Sequence, residues 1–186
     1  MDALQVLRLR ATAMGAIRGF FEAHDFLEVE TPALVPSPGL DVHLSAFEVR
    51  DPQGGVAGWL ATSPEYQMKR LLSAGAERIY QLGRSYRADE MGRHHEREFT
   101  MLEWYRVNAG SNELIEDTEA LVAWVAQALG SAEVDALAAP WERITVAEAF
   151  RRHAGDLVDP ADEERFFRVW AEQVQPALGV ERPVVV

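Results

Sequence analysis

Side chains able to do chemistry are concentrated between Tyr86 and Arg106, where the sequence reads YRADEMGRHHEREFTMLEWYR. An aromatic-Arg pair precedes a polar loop, and the run from Glu98 to Arg106 predicts an antiparallel return strand. Successive side chains of a strand alternate between its faces, so Phe99, Glu103 and Tyr105 are expected to share one face. A carboxylate in an apolar row is costly to bury without a partner, so Glu103 either faces a wet cleft or receives a cation such as an ammonium.

A second interpretation needs no ligand. Arg87, Asp89, Glu98 and Glu103 could form cross-strand ion pairs on a solvated sheet face, and periodicity alone favours that arrangement. The pattern by itself leaves both interpretations open.

The remaining sequence predicts the helices and strands that must position these residues. Before the central segment we predict a helix over Leu4 to Ala23, an extended FLEVETP segment, a loop over Ala33 to Asp41, a hairpin of Val42 to Val49 with Val56 to Leu60, a helix from about Pro64 to about Ala74, and a strand over Arg78 to Gly83 leading into Ser85 to Arg87. After it we predict a helix capped by Ser111 or Asn112 and closed by Gly130, a short strand over Trp141 to Val146, a capping box of Thr145 with Glu148, a helix over Glu163 to Gln173, and the start of a strand at the final Val-Val-Val. The predicted fold class is α+β.

Composition narrows the class of protein. The chain has 186 residues, of which 48% are hydrophobic and 26% charged, and this favours one soluble domain with a core. There is no apolar run of the roughly 20 residues that a membrane span needs and no basic, apolar leader, so we expect a cytoplasmic protein without a membrane partner. The absence of cysteine excludes disulfides and thiolate metal sites.

The net charge of −12 is carried mainly by the C-terminal part, since residues 111–186 hold 15 acidic and 6 basic side chains. Proteins that bind duplexes or tRNA usually show a basic stripe that neutralises phosphates. No run rich in Lys or Arg occurs, and Lys69 is the single lysine. We therefore expect tRNA to be an improbable partner.

The central segment resembles motif 2 of the class II aminoacyl-tRNA synthetases, in the lysyl-type subgroup. That motif reads aromatic-Arg-x-acidic, a loop with Arg or His, and then EFTM-x-E-aromatic-Tyr. Glu65 precedes Arg87 by 22 residues and Arg87 precedes Glu103 by 16, and both intervals match the lysyl-type core. The resemblance covers about Leu4 to Val125 and implies an antiparallel sheet flanked by helices.

The resemblance also implies roles for individual residues in binding ATP and an amino acid. Arg87 would be the catalytic clamp on the α-phosphate and the substrate carboxylate, with Phe99 stacked on adenine. The further ATP-binding positions are Ala88, Asp89, His95 and Glu96, and the substrate-binding positions are Ser63, Pro64, Glu65, Glu103 and Tyr105. Glu103 and Tyr105 would receive the substrate ammonium, and Glu65 its second amine.

Some of these positions have a simpler explanation or depart from the family pattern. Thr62 and Glu65 have capping-box spacing, so Glu65 could serve only to cap a helix. The usual loop end His-Asn-Pro-Glu-Phe is here His95-Glu96-Arg97-Glu98-Phe99, which places a carboxylate where a neutral Asn contacts ATP, and Asp89 replaces a longer Glu. The loop histidines His94 and His95 could equally be solvated.

The helix from Leu4 and the FLEVETP segment resemble motif 1, which forms the dimer interface of class II synthetases, so a homodimer is expected. Because the motif 1 helix begins at once, we expect no N-terminal anticodon-binding barrel. Stand-alone relatives with this start, and with TSPEYxMKRLL and EFTMLEWYR, form the family that lysylates elongation factor P. The resemblance implies that lysine or beta-lysine is activated with ATP and transferred to a lysine side chain of elongation factor P.

No Gly-rich motif 3 occurs before Val186, so the expected domain over residues 1–186 is a single, partial catalytic domain. The magnesium ligands of the family are expected beyond the end of the chain, and the chain alone is expected to be incomplete or inactive. Two alternatives stay open: a class II paralogue with a binding or regulatory role, and a ligase that charges tRNA with lysine.

Overall fold

The computed structural model describes residues 1–39, 41, 43–92 and 95–186 and shows an α+β protein. The helices are α1 (Ala3–Ala23), α2 (Glu65–Ser73), α3 (Ser111–Ala128), α4 (Val146–Ala154) and α5 (Glu163–Val169), the last followed by a π-helical turn (Trp170–Val174) and a 3-10 turn (Gln175–Ala177). The strands are β1 (Leu27–Glu28), β2 (Leu34–Val35), β3 (Glu48–Arg50), β4 (Val56–Leu60), β5 (Arg78–Tyr86), β6 (Glu98–Arg106), β7 (Glu142–Arg143) and β8 (Val184–Val185). No helix in this described part combines the length and the apolar character that crossing a membrane requires.

The chain divides into two compact units. One unit is Arg18–Ala109, and the other combines Met1–Ile17 with Gly110–Val186. The motif 2 segment and the Ser63-Pro64-Glu65 segment both lie in the first unit, so the site can be described within it. The expectation of one partial catalytic domain stays a prediction.

The first unit is built on a three-stranded sheet in the order β1-β5-β6. β5 and β6 pair antiparallel over nine residues, from Arg78 opposite Arg106 to Tyr86 opposite Glu98, and β1 adds in parallel to β5. The predicted strand Glu98 to Arg106 is confirmed residue for residue. β5 is longer than predicted, because the strand continues without a break from Arg78 to Tyr86.

One face of this sheet is covered by aromatic side chains at the end of α1. Phe20 and Phe21 are fully buried, and the Phe21 ring stacks on Tyr80 with ring centroids 4.4 Å apart. Phe21 also contacts Trp104 on β6 at 5.7 Å. Because Tyr80 and Trp104 are paired across the strands, alternation places Glu103 on the opposite face. The aromatic packing therefore leaves the Glu103 face for a site.

A second small sheet in the same unit has the order β2-β4-β3. Its hairpin turn forms at Asp51, whose carboxylate accepts the amide N–H groups of Gln53 and Gly55 at 2.9 and 2.8 Å. At Gly58, with φ of 155°, an added Cβ would come within 2.7 Å of the Val35 carbonyl oxygen, so only glycine fits between β2 and β4. The first hairpin strand is shorter than predicted, and Val42 lies outside the described residues.

The second unit has its own apolar core. Its buried members are Ile144, Ala149, Phe150, Val158 and Val174. The predicted capping box at the start of α4 is confirmed: Thr145 Oγ1 accepts the Glu148 amide N–H, and the Glu148 carboxylate accepts the Thr145 N–H at 2.7 Å. The Thr145 and Glu148 pair thus satisfies two amide groups that a helix N-terminus leaves unpaired.

Several predicted boundaries are wrong. The predicted loop over Ala33 to Asp41 contains β2, and the predicted extended segment FLEVETP forms only a two-residue strand. The predicted helix over Glu163 to Gln173 is α-helical only to Val169, where a π-helical turn takes over. These differences arise because two-residue strands and a change of helix type leave no periodic pattern.

Two predicted helix caps are also wrong. α2 begins after Pro64 without a side-chain cap, so Thr62 and Glu65 do not form the capping box. α3 is preceded by Gly110, not capped by Ser111 or Asn112, and the Glu113 carboxylate accepts the Gly110 N–H at 2.7 Å.

Candidate active site

The dipeptide Thr62-Ser63 joins the two charged groups predicted to hold opposite ends of a ligand. The Thr62 carbonyl oxygen accepts Nε–H of Arg87 at 3.3 Å, and the Ser63 hydroxyl donates to Glu103 Oε2 at 3.1 Å. Arg87 follows β5 directly, and its guanidinium lies over the ring of Phe99, which shares a strand face with Glu103. The structure therefore brings Arg87, Phe99 and Glu103 to one face of the sheet.

Glu103 is held in a half-buried hydrogen-bonded pair with Tyr105. The Tyr105 hydroxyl donates to Glu103 Oε1 at 2.7 Å, while Ser63 occupies Oε2. Burial raises the pKa of the Tyr105 hydroxyl well above its ordinary value, and the hydrogen bond to Glu103 raises it further. A carboxylate that accepts two hydrogen bonds keeps other lone pairs, so Glu103 can still accept from an ammonium.

Arg87 is restrained on three sides. Besides Thr62, its Nη1 donates to Glu90 Oε1 at 2.8 Å, and its Cζ lies 5.1 Å from the centre of the Phe99 ring. The side chains of Arg87 and Glu90 are only 21% and 28% exposed. Among the described residues Nη2 has no hydrogen-bond partner, so part of the guanidinium fork is open to an oxyanion.

The nucleotide positions next to Arg87 are tied to the segment before β3. The Ala88 amide N–H donates to the Ser45 carbonyl oxygen at 2.7 Å, and the Ser45 hydroxyl donates to the Asp89 carboxylate. What Ala88 offers a ligand is therefore its carbonyl, and Asp89 is an exposed carboxylate held in place by Ser45. One face of the Phe99 ring is covered by Arg87, so a stacked base requires the other face or a shift of the guanidinium.

The predicted second amine position lies at the start of α2. Glu65 pairs with Lys69 at 2.5 Å, and this hydrogen bond raises the pKa of the Lys69 ammonium. Pro64 is buried, and the Glu65 amide N–H donates to Ser63 Oγ at 3.0 Å. A cavity of about 710 Å³ is lined by Ser63, Glu65, Tyr66 and Lys69 and, from the preceding part of the chain, by Val35, Pro36, Ser37, Pro38, Gly39, Asp41 and Leu44. The Glu65 carboxylate is thus presented to a cavity with an ammonium already beside it.

His95 and Glu96, two of the predicted ATP-binding residues, lie on the exposed surface of the loop. His95 is exposed and forms a backbone bridge with Gly92, and Glu96 is exposed as well. His94 lies outside the described residues. The structure does not bring His95 and Glu96 into the cluster formed by Arg87 and Glu103.

Three residues of this site were missed by sequence reasoning: Ser45, Gln81 and Glu90. Gln81 is buried, lies opposite Glu103 across the strands, and accepts the Thr31 amide N–H at 2.8 Å. The available signal for Gln81 was that it is a single polar residue inside the apolar run of RIYQLG. Ser45 and Glu90 give no such signal, because their roles depend on contacts that the fold creates.

The resemblance implies two cofactors, ATP and Mg²⁺, and the described residues can be compared with the chemistry that each requires. An open guanidinium edge beside an aromatic ring suits the phosphate and base of ATP. In contrast, the described part of the chain contains no group of three or more His, Asp or Glu side chains placed to hold a metal ion. Mg²⁺ in nucleotide sites is usually held by one or two carboxylates together with phosphate oxygens, so this finding leaves the Mg²⁺ that the resemblance implies as a prediction, and no step below passes through a metal.

Comparison with known proteins decides the family. A family model described as tRNA synthetases class II (D, K and N) matches residues 1–179. The chain belongs to this class II synthetase family. In this class II synthetase chain the antiparallel pair of β5 and β6 positions Arg87 and Glu103.

Curated relatives of this class II synthetase chain carry one name, elongation factor P–(R)-beta-lysine ligase. The relative from Erwinia tasmaniensis is 39% identical over 95% of this chain and 60% of its own length. The relative from Vibrio cholerae is 42% identical over 87% of this chain and 48% of its own length. The relative from Haemophilus influenzae is 39% identical over 95% of this chain and 59% of its own length. The predicted resemblance to this group is confirmed. The chain spans about half the length of the curated relatives it matches.

Proposed function

We propose that the protein is an ATP-dependent ligase that activates lysine or beta-lysine as an adenylate and transfers it to a lysine side chain of elongation factor P. The observation that carries this proposal is the Thr62-Ser63 link between Arg87 and Glu103. An aminoacyl adenylate has a phosphate at one end and an ammonium at the other. A guanidinium and a carboxylate on one sheet face are complementary to both ends. The names of the relatives supply the choice of amino acid and acceptor.

The first half-reaction needs charge stabilisation at phosphorus. A substrate carboxylate oxygen forms a bond to the α-phosphorus of ATP, and the bond to the leaving pyrophosphate breaks. Nη2 of Arg87 donates to the oxygens that gain charge, with the guanidinium plane held by Thr62 and Phe99. The contact to the Thr62 carbonyl restricts the orientation of the guanidinium and so reduces the entropy lost when it binds the phosphate.

The same face orients the amino acid. Glu103 accepts from the substrate ammonium, and the hydroxyls of Tyr105 and Ser63 fix the position of its carboxylate. Glu65 is the partner of the second amine, which requires Lys69 to move aside or share the carboxylate. In the second half-reaction the acceptor amine forms an amide bond with the activated carbonyl, AMP leaves and the amine loses a proton.

This function is tested on the full-length protein by lysine-dependent exchange of pyrophosphate into ATP, followed by transfer of labelled lysine or (R)-beta-lysine to elongation factor P. We expect exchange only when the amino acid is present, and label in elongation factor P but not in a form whose acceptor lysine is replaced. Exchange without transfer to that protein, together with labelling of tRNA, would support the tRNA-charging alternative. ATP binding without exchange would support a binding role.

We also propose a homodimer formed through the motif 1 segment. Leu4 and Leu7 of this segment are 57% and 62% exposed, and a second copy of the chain would cover them. A mass measurement in solution at micromolar concentration is expected to give twice the 20.8 kDa chain mass. A single-chain mass across that range would overturn the dimer and leave the ligase proposal unaffected.

A further inference from the structure

Arg87 is paired with an anionic side chain of its own chain. Its Nη1 donates to Glu90 at 2.8 Å, three residues along the chain, and both side chains are mostly buried. A carboxylate presents oxygens to a guanidinium much as a phosphate does, so Glu90 occupies a donor that an incoming phosphate would use. The remaining contacts of Arg87, to the Thr62 carbonyl and the Phe99 ring, are neutral and do not compete with phosphate.

The Glu90 carboxylate opposes the binding of a triphosphate to Arg87. Two anions on one guanidinium repel each other, and the repulsion is stronger where the surroundings are partly buried. Full use of the Arg87 fork by phosphate therefore requires the Glu90 carboxylate to leave Nη1.

We propose that Glu90 is an internal competitor of ATP: it holds the Arg87 guanidinium over Phe99 until a phosphate displaces it, and so it sets the affinity for the nucleotide. This inference rests on the proposed function. Glu90 acts through Arg87 and is a positioning residue. A carboxylate that only braces Arg87 would have the opposite effect on removal, because losing a brace weakens binding.

The test is the dissociation constant of ATP, measured by calorimetry on the wild-type protein and on Glu90→Gln. Glutamine keeps the size of the side chain and removes the charge that competes with phosphate. We expect ATP to bind about two- to fivefold more tightly to Glu90→Gln, the range given by loss of a partly exposed ion pair. Glu98→Gln is the matched control, because it removes the same charge from an exposed side chain nearby. Glu98 pairs with Arg84 at 3.4 Å and has no contact with Arg87 among those described above.

The outcomes separate this inference from the proposed function. Tighter binding by Glu90→Gln with an unchanged Glu98→Gln supports the competition. Equal or weaker binding by Glu90→Gln overturns it while leaving the ligase proposal standing, and equal tightening by both variants overturns it in favour of net charge. Failure of the wild-type protein to bind ATP at all would overturn the proposed function and the competition together.

Discussion

Replacing Arg87 by alanine is expected to weaken ATP binding by at least tenfold, and by more than a hundredfold if phosphate takes the full guanidinium fork. The expectation follows from the charge-assisted hydrogen bonds that the fork makes to phosphate oxygens, roughly 1.5 to 3 kcal/mol in total. The loss is measured as the ATP dissociation constant by calorimetry. The substitution also leaves Glu90 without its partner, so the folded state is checked by circular dichroism.

Arg84→Ala is the control for this loss. Arg84 lies on β5, three residues before Arg87. Its side chain is 55% exposed and pairs with Glu98. A surface ion pair contributes little to stability or binding, so ATP affinity is expected to stay within about twofold of the wild type. If Arg84→Ala and Arg87→Ala lost ATP equally, general positive charge and not the Arg87 site would account for binding.

Glu103→Gln is expected to weaken the binding of lysine by about ten- to more than a hundredfold. A neutral amide replaces a carboxylate that accepts from a desolvated ammonium, and such a charge-assisted contact is worth roughly 1.5 to 3 kcal/mol. The geometry that supports this is the pair of donors, Ser63 and Tyr105, that orient the carboxylate without neutralising it. Lysine affinity is measured by calorimetry on wild type and variant under the same salt.

Two further variants sharpen the interpretation of Glu103→Gln. Tyr105→Phe removes one hydrogen bond to the carboxylate and keeps its charge, so a smaller loss is expected than for Glu103→Gln. Glu98→Gln removes a carboxylate from the same strand at an exposed position and is expected to have no effect on lysine. An effect of Glu98→Gln equal to that of Glu103→Gln would favour the cross-strand ion-pair interpretation of this sheet.

The strand β6 was predictable because its nine residues are rich in the aromatic side chains that strands favour. Its bounds were predicted without error. β2 was missed, since two residues in a loop rich in Pro and Gly show no period. Gly110 was missed as the residue before α3 because Ser111 and Asn112 have the stronger capping preference, while the Glu113 side chain makes the cap from within the helix.

Within the site, residue types and spacing predicted which side chains meet but not what else they touch. Arg87 and Glu103 lie on one face because strand alternation requires it. The contact of Ser45 with Asp89 joins residues 44 positions apart, and the pairing of Glu90 with Arg87 depends on how the chain turns after β5. Neither contact has a periodic signature, so both became visible only in the folded chain.

The central claim is that Arg87 and Glu103 hold the two ends of one ligand, and a non-hydrolysable lysyl-adenylate analogue tests it most directly. Its affinity is measured on the wild type, Arg87→Ala and Glu103→Gln, with ATP and lysine titrated separately. We predict that both variants lose the analogue, that Arg87→Ala loses ATP, and that Glu103→Gln loses lysine with ATP binding kept. Unchanged analogue affinity in folded Glu103→Gln would contradict the shared site and favour a surface ion-pair network on β6.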